Sequence, residues 1–327
     1  MATDTDDTPV AWGVIGCGRI AQQFCADMSW AHNGVVRAVA SRTLAKAQHF
    51  AERHHIDNAY GSYQQLLDDP SIEVVYIATP HVFHCQQSIQ ALKRSKAVVC
   101  EKPIAVNLYE CQQLFQVARC EKVYVMEAMW SYFLPAIKQT KAWIDKGVIG
   151  ELRCIEASFG FVAPRDLQGR HFNKALGGGS LYDIGIYPLA MAAFLLGEFE
   201  TSWCVENMVT NHGVDSEVSF TAQTQHVQLS FCCSFNRVLA NELVITGSKG
   251  RITVPDFWQA KGCQYWLNDG SGDAFIDQTQ GLGYQHEAIQ VAKDIRKQRT
   301  QSNVMTLSRS LWLQQQMEKI RSELIKS

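Results

Sequence analysis

The chain has 327 residues, of which 46% are hydrophobic and 19% charged, and its formal net charge is −2. This length suits two domains of roughly 100–200 residues each. The balance is that of an ordinary globular protein, without the broad basic field that nucleic acid or an anionic membrane surface would call for.

The acidic start, Met1 to Pro9, lacks the basic and apolar regions of a signal peptide. No apolar run approaches the roughly 18 residues of a membrane helix, so a soluble, cytoplasmic protein is expected. Eleven scattered cysteines, with no Cys-x-x-Cys pair, read as reduced and mostly buried thiols, and no metal site is expected. Cys232 and Cys233 are adjacent and point to opposite faces of a strand.

In chain order, Val10–Gly16 reads as a first strand, Arg19–Ser29 as a helix, Val35–Ala40 as a strand and Leu44–His54 as a helix. Strands follow at Val74–Ala78, Ala97–Cys100 and Val123–Met126, with helical spacing at Val82–Arg94 and Leu108–Arg119 between them. Such alternation implies right-handed βαβ units and a doubly wound parallel sheet.

The texture changes near Trp130. A helix over Ala136–Lys146 is followed by strands at Leu152–Phe161, Glu217–Gln223, Val227–Phe235, Glu242–Thr246 and Arg251–Val254. Helical pieces stand at Gly185–Leu196, Tyr284–Gln298 and Thr306–Ile325. The expected fold class is α/β: a parallel domain over 1–128, then an α+β domain over 129–327 on a mostly antiparallel open sheet, with the final helices free to pack back on the first domain.

Gly16-Cys17-Gly18-Arg19-Ile20-Ala21 lies where the first strand meets the first helix. In a Rossmann-type unit Gly16 makes the tight turn, Gly18 lets the backbone approach a pyrophosphate and Ala21 lets helix and strand pack closely. The helix N-terminus then offers N–H groups to the phosphates. At the end of the second strand stands Ser41-Arg42-Thr43, and no carboxylate occurs between Asp27 and Glu52. The usual acidic partner of an NAD ribose is therefore missing, and Arg42 with Ser41 suits a 2′-phosphate. NADP(H) is expected, with NAD(H) as the weaker alternative.

After the third of these strands comes Ala78-Thr79-Pro80-His81-Val82-Phe83-His84, where His81 and His84 are placed either to meet cofactor or substrate or to cap the next helix. The fourth runs into Glu101-Lys102-Pro103, which puts a lysine at a strand end, where partial burial and an oxidised nicotinamide would depress its proton affinity.

These motifs, with Gly177-Gly178-Gly179-Ser180-Leu181-Tyr182-Asp183-Ile184-Gly185-Ile186-Tyr187, stand in the order and spacing of the Gfo/Idh/MocA oxidoreductases, which the chain resembles over nearly its whole length. Met126-Glu127-Ala128-Met129-Trp130 and the tyrosine ending of the second motif resemble the dimeric dihydrodiol dehydrogenase and NADP-dependent D-xylose dehydrogenase branch. The resemblance implies that Lys102 is the catalytic lysine and that Thr79 and Glu101 belong to the cofactor site. It also implies a homodimer formed through the second-domain sheet. Many members carry Asp-x-x-x-His where this chain has Asp183 to Tyr187, so Tyr187 replaces the histidine.

A phenol of pKa about 10 is a poor base alone, but a nearby ammonium makes a Tyr187–Lys102 pair chemically sensible. Asp183, one helical turn earlier, orients the pocket or a substrate hydroxyl. Trp130, Phe159, Arg165 and Arg170 are weaker substrate candidates, and Trp258 could close over the nicotinamide. The expected activity is hydride transfer at a secondary hydroxyl or carbonyl of a sugar, cyclitol or trans-dihydrodiol. A nicotinamide-dependent glycosidase and a non-catalytic dinucleotide sensor are the alternatives.

Overall fold

The computed structural model describes residues 8–211, 213–224 and 226–325. The chain forms two compact units. One comprises the chain up to Trp130 with Gln280–Ser310, and the other Ser131–Thr279 with the chain from Leu311 on.

In the first unit the elements are β1 Val10–Ile15, α1 Arg19–Asp27, β2 Gly34–Ala40, α2 Leu44–His54, β3 Asn58–Tyr60, α3 Tyr63–Leu67, β4 Val74–Ile77, α4 His84–Leu92, β5 Ala97–Glu101, α5 Leu108–Glu121 and β6 Val125–Ala128. The sheet runs β3-β2-β1-β4-β5-β6, and every pairing in it is parallel. This order reverses direction between β1 and β4, and the crevice beyond the carboxyl ends of those two strands is where such folds bind dinucleotides.

The strands are apolar on both faces because helices cover both: Val74–Ile77 and Ala97–Glu101 are buried throughout. On one face Phe24 of α1 stacks on Tyr76 at 3.8 Å between centroids. The chain returns to this unit at α8 Tyr284–Arg296. Asp27, 3% exposed, accepts the backbone N–H groups of Leu282 (3.0 Å), Gly283 (2.7 Å) and Tyr284 (2.9 Å) and so caps that helix from the end of α1.

The second unit contains α6 Pro135–Asp145, β7 Leu152–Gly160, α7 Ile186–Leu196, β8 Trp203–Asn211, β9 Val214–Thr224, β10 Val227–Ser234, β11 Glu242–Gly247, β12 Gly250–Pro255, β13 Gly262–Leu267 and β14 Gly272–Ile276. The last helix, α9 Leu307–Ile325, groups with the first unit up to Ser310 and with the second thereafter. The eight strands run β14-β13-β12-β11-β7-β10-β9-β8, antiparallel except for β7 beside β10.

Helices α6 and α7 pack on the sheet, and the alternation separates its two faces. Ile155, Ala157 and Phe159 of β7 and Leu229, Phe231 and Cys233 of β10 are buried. Between them Cys154, Glu156, Ser158, Ser230 and Cys232 remain half-buried or exposed on the other face. Cys232 and Cys233 thus do point to opposite faces.

Two expectations need correction. The stretch Lys174–Leu196 is long and apolar enough to cross a membrane, with an 18-residue window of mean hydropathy 1.4, but 89% of that window is buried within the protein, as in the core helix of a globular unit. Of the eleven cysteines five are buried, Cys120 and Cys204 are exposed and the others are half-buried, so the thiols are less hidden than their apolar neighbours suggest.

Candidate active site

The nucleotide half is built at the β1 and β4 carboxyl ends. Gly16 has φ +102°, and a side chain there would come within 2.9 Å of the Ala78 carbonyl oxygen, so the two strand ends approach as only glycine permits. A Cβ on Gly18 would meet nothing within 4 Å. Helix α1 begins there with no side-chain cap and no acidic residue in its first turn. Its first N–H groups therefore face open space, which is the cradle a pyrophosphate needs. Ala21 is fully buried at the strand–helix contact, while Arg19 is exposed and Ile20 half-buried at the mouth of the turn.

Ser41 is buried at the end of β2 and Arg42 is exposed beside it. The Cys17 thiol is pushed up from its ordinary range by burial, while the Ser41 hydroxyl and the Lys46 ammonium oppose the shift. Lys46 therefore supplies a second cation at this corner. A lysine in the first turn after Ser41-Arg42-Thr43 is a signal the motif reading passed over. Arg42 also lies close enough to Tyr63 to act on its phenol. The residues present fit a phosphorylated ribose better than a bare diol.

Around Thr79 and Lys102 the structure changes two assignments. His84 is completely buried, with Nδ1 2.8 Å from the Pro103 carbonyl oxygen and Nε2 2.7 Å from that of Thr79. Both ring nitrogens face backbone carbonyl oxygens, a neutral ring donating to one of the two, so His84 is a strut between the two turns and not a phosphate contact. Burial lowers its proton affinity, the two carbonyls opposing and Lys102 assisting. The Glu101 side chain turns inward and accepts a hydrogen bond from the Tyr76 hydroxyl, which removes it from the nucleotide surface. Thr79 is half-buried and donates from Oγ1 to Gln87 at 2.6 Å, and His81 is half-buried with its ring 5.7 Å from that of His84.

Lys102 is half-buried, and the Lys102–Pro103 peptide is cis. The following Ile104 N–H donates to Glu127 Oε1 at 3.0 Å. Trp130, 4% exposed, stacks on Tyr284 at 4.4 Å.

The second unit gathers the other candidates. The backbone enters α7 through Gly179 (φ +133°), where a Cβ would strike Asp215 at 2.6 Å. Asp215 of β9 accepts from Ser180 Oγ (2.8 Å) and from the Leu181 N–H (2.6 Å), a cap no local motif announces. Leu181–Gly185 is a π-helical turn, so Asp183 and Tyr187 are not one ordinary α-turn apart as their spacing suggested. The wider turn rotates the helix register before Tyr187 enters the first turn of α7, a distortion frequent at functional sites.

Asp183, 5% exposed, pairs with Arg170 at 3.0 Å. Tyr187, 6% exposed, has its ring 5.8 Å from Phe159. Phe159 stacks on Trp258 at 3.7 Å and 10°. Arg165 is exposed on the loop before the glycine run.

The family model for oxidoreductases with an NAD-binding Rossmann fold (GFO_IDH_MocA) matches residues 10–129, and the GFO/IDH/MocA C-terminal domain matches residues 137–253. Trans-1,2-dihydrobenzene-1,2-diol dehydrogenase from Homo sapiens is 34% identical over 325 residues, covering 95% of each chain. Its Mus musculus counterpart is 33% identical over 322 residues with the same coverage. Among solved structures, a 3-ketoreductase from Actinomadura kijaniata in complex with NADP and TDP-benzene superposes with a TM-score of 0.82 at 25% identity, covering 96% of this chain and 98% of that one. Aldose-aldose oxidoreductase from Caulobacter crescentus shares the fold with a TM-score of 0.88 at 21% identity, covering 97% and 98%. The chain belongs to the Gfo/Idh/MocA family of NAD(P)-dependent oxidoreductases.

Proposed function

We propose that this enzyme interconverts a secondary hydroxyl and carbonyl on a ring-shaped polyol, either a sugar, a cyclitol or a trans-dihydrodiol, with NADP(H) preferred to NAD(H). The observation that carries this reading is the aromatic cluster of Tyr187, Phe159 and Trp258 on the same unit as the Asp183–Arg170 pair. Such a cluster offers apolar surface to a ring, chiefly through the half-exposed Trp258, and the charged pair offers partners to its hydroxyls. The names of the human and mouse relatives point to a dihydrodiol within that class.

When bound, the nicotinamide supplies hydride exchange at the carbinol carbon. The open turn at Gly18 holds the pyrophosphate on the α1 N–H groups, and Ser41, Arg42 and Lys46 receive the 2′-phosphate. Tyr187 and Lys102, each assigned by its own motif, are the groups that exchange the proton of the substrate hydroxyl. Replacing either group costs about 10²–10⁴-fold in turnover. Lys102→Ala and Tyr187→Phe are each expected to lose turnover on this scale while NADPH fluorescence titration shows retained binding; near-normal turnover in Tyr187→Phe removes that residue from the mechanism.

The protein is also read as a cytoplasmic homodimer. Its eleven free cysteines suit a reducing compartment. The half-exposed sheet face, with Thr246, Arg251 and Trp266 in register across β11, β12 and β13, suits a self-complementary contact. Light scattering that returns a monomer across the micromolar range overturns the dimer.

A further inference from the structure

Beneath the Lys102 turn lies a carboxyl group that the proposed reaction does not use. Glu127 is on β6, in register with Cys100 of β5, and is 2% exposed. Its Oε1 accepts from Ile104 N–H at 3.0 Å, two residues beyond Lys102. Its Oε2 is buried and makes no hydrogen bond of ordinary geometry, with the Ser310 hydroxyl near enough to favour its charged form.

The groups that face Glu127 are the Lys102 ammonium, Glu101 and the Cys100 thiol from β5 and its turn, and Ser310 from the first turn of α9. Behind Glu101 stands Glu287 of α8, fully buried with neither carboxyl oxygen bonded. On the other side of the turn, His84 of α4 holds the Pro103 carbonyl. A carboxyl so placed is anchored to the lysine turn through one oxygen and keeps the other for a proton.

We propose that Glu127 is a positioning residue for Lys102: it fixes the turn that presents the lysine and, by gaining or losing its own proton, sets how firmly the ammonium holds its proton. The proposal rests on the reading of Lys102 as the proton-handling lysine. Electrostatic coupling is reciprocal. Burial, the largest influence, pushes Glu127 up to about 7, while Ser310, the Ile104 N–H and the Lys102 charge hold it down. The same attraction must raise the proton affinity of Lys102 whenever Glu127 is ionised. Glu127 therefore changes charge near neutrality, next to the group that must exchange protons there. Below that point the Lys102 ammonium gives up its proton more readily; above it the proton is held more firmly.

The test reads Lys102 directly. Competitive acetylation with acetic anhydride across the neutral and alkaline range, quantified by mass spectrometry of the Lys102 peptide, gives the pH at which the amine becomes nucleophilic. In Glu127→Gln, which keeps an acceptor for Ile104, this midpoint is expected to fall by about one pH unit or more. An unchanged midpoint overturns the proposal. A second measurement covers the case in which Glu127→Gln does not fold. Carbon-detected NMR of labelled glutamate carboxyls in Lys102→Met is expected to show the near-neutral titration of Glu127 displaced to higher pH. A titration that stays in place overturns the coupling. If Lys102→Met retains turnover, the catalytic reading fails, yet both measurements still decide whether Glu127 governs the lysine's proton.

Discussion

The molecule enters two helices through glycines and finishes them in opposite ways. At Gly16-Cys17-Gly18 the N-terminus of α1 has no side-chain cap, and the space beside Gly18 is open. At Gly177-Gly178-Gly179 the following helical turn is closed by Asp215, whose carboxylate accepts from both Ser180 and Leu181. Both turns look alike in sequence. A helix start that the protein satisfies with its own carboxylate is architecture, and one left open invites a ligand's negative charge.

Filling the open turn gives the sharpest contrast. Gly18→Val blocks the α1 N–H groups, and the loss of two charge-assisted hydrogen bonds at about 1.5–3 kcal/mol each weakens NADPH binding about a hundredfold or more. Its melting temperature stays near that of the parent, because the new side chain enters open space. If isothermal titration finds the parental Kd, the open turn is not the phosphate cradle.

A smaller effect is expected one strand over. Arg42→Asp removes one charge-assisted contact, about 1.5–3 kcal/mol, and so lowers kcat/KM with NADP by about tenfold to a hundredfold while NAD is spared. Equal losses with both cofactors break the assignment of this corner to the 2′-phosphate.

The closed turn responds oppositely. Asp215→Ala leaves a buried N–H and a hydroxyl without their acceptor and costs about 1–3 kcal/mol of stability, read by denaturant unfolding. NADPH affinity is unchanged. A drop in affinity without a drop in stability would erase the distinction between the two helix starts.

Much of the first sheet was legible because its strands are continuous apolar runs broken by helical spacing. Helix α2 begins and ends where its apolar pattern does, at Leu44 and His54. The three-residue β3 and five-residue α3 were not legible, since neither is long enough to show a period. In the second sheet β8, β13 and β14 escaped for a different reason. They lie toward the sheet's two edges, where solvent replaces the buried face that gives a strand its alternation.

At the site, Gly16, Gly18, Arg42, Lys102 and Tyr187 could be named because each belongs to a local pattern. The cap from Asp215, the strut through His84 and the anchor at Glu127 could not, because their partners are distant in sequence and only the fold brings them together. The π-turn before Tyr187 leaves no trace in apolar spacing, so the relation of Asp183 to Tyr187 is set by the fold alone.

Asp27 gathers the N–H groups of Leu282, Gly283 and Tyr284 across about 250 residues of intervening chain. A ribosome making this protein therefore emits the nucleotide-binding sheet long before the segment that completes it. Until α8 emerges, Phe24 lacks its Tyr284 neighbour and Asp27 is a buried-type carboxylate with nothing to cap. Until then the nascent first unit stands without the segment that completes it. Any attempt to excise it as an autonomous nucleotide-binding module has to carry residues 280–310 along, by fusion or permutation, or it will inherit that unfinished surface.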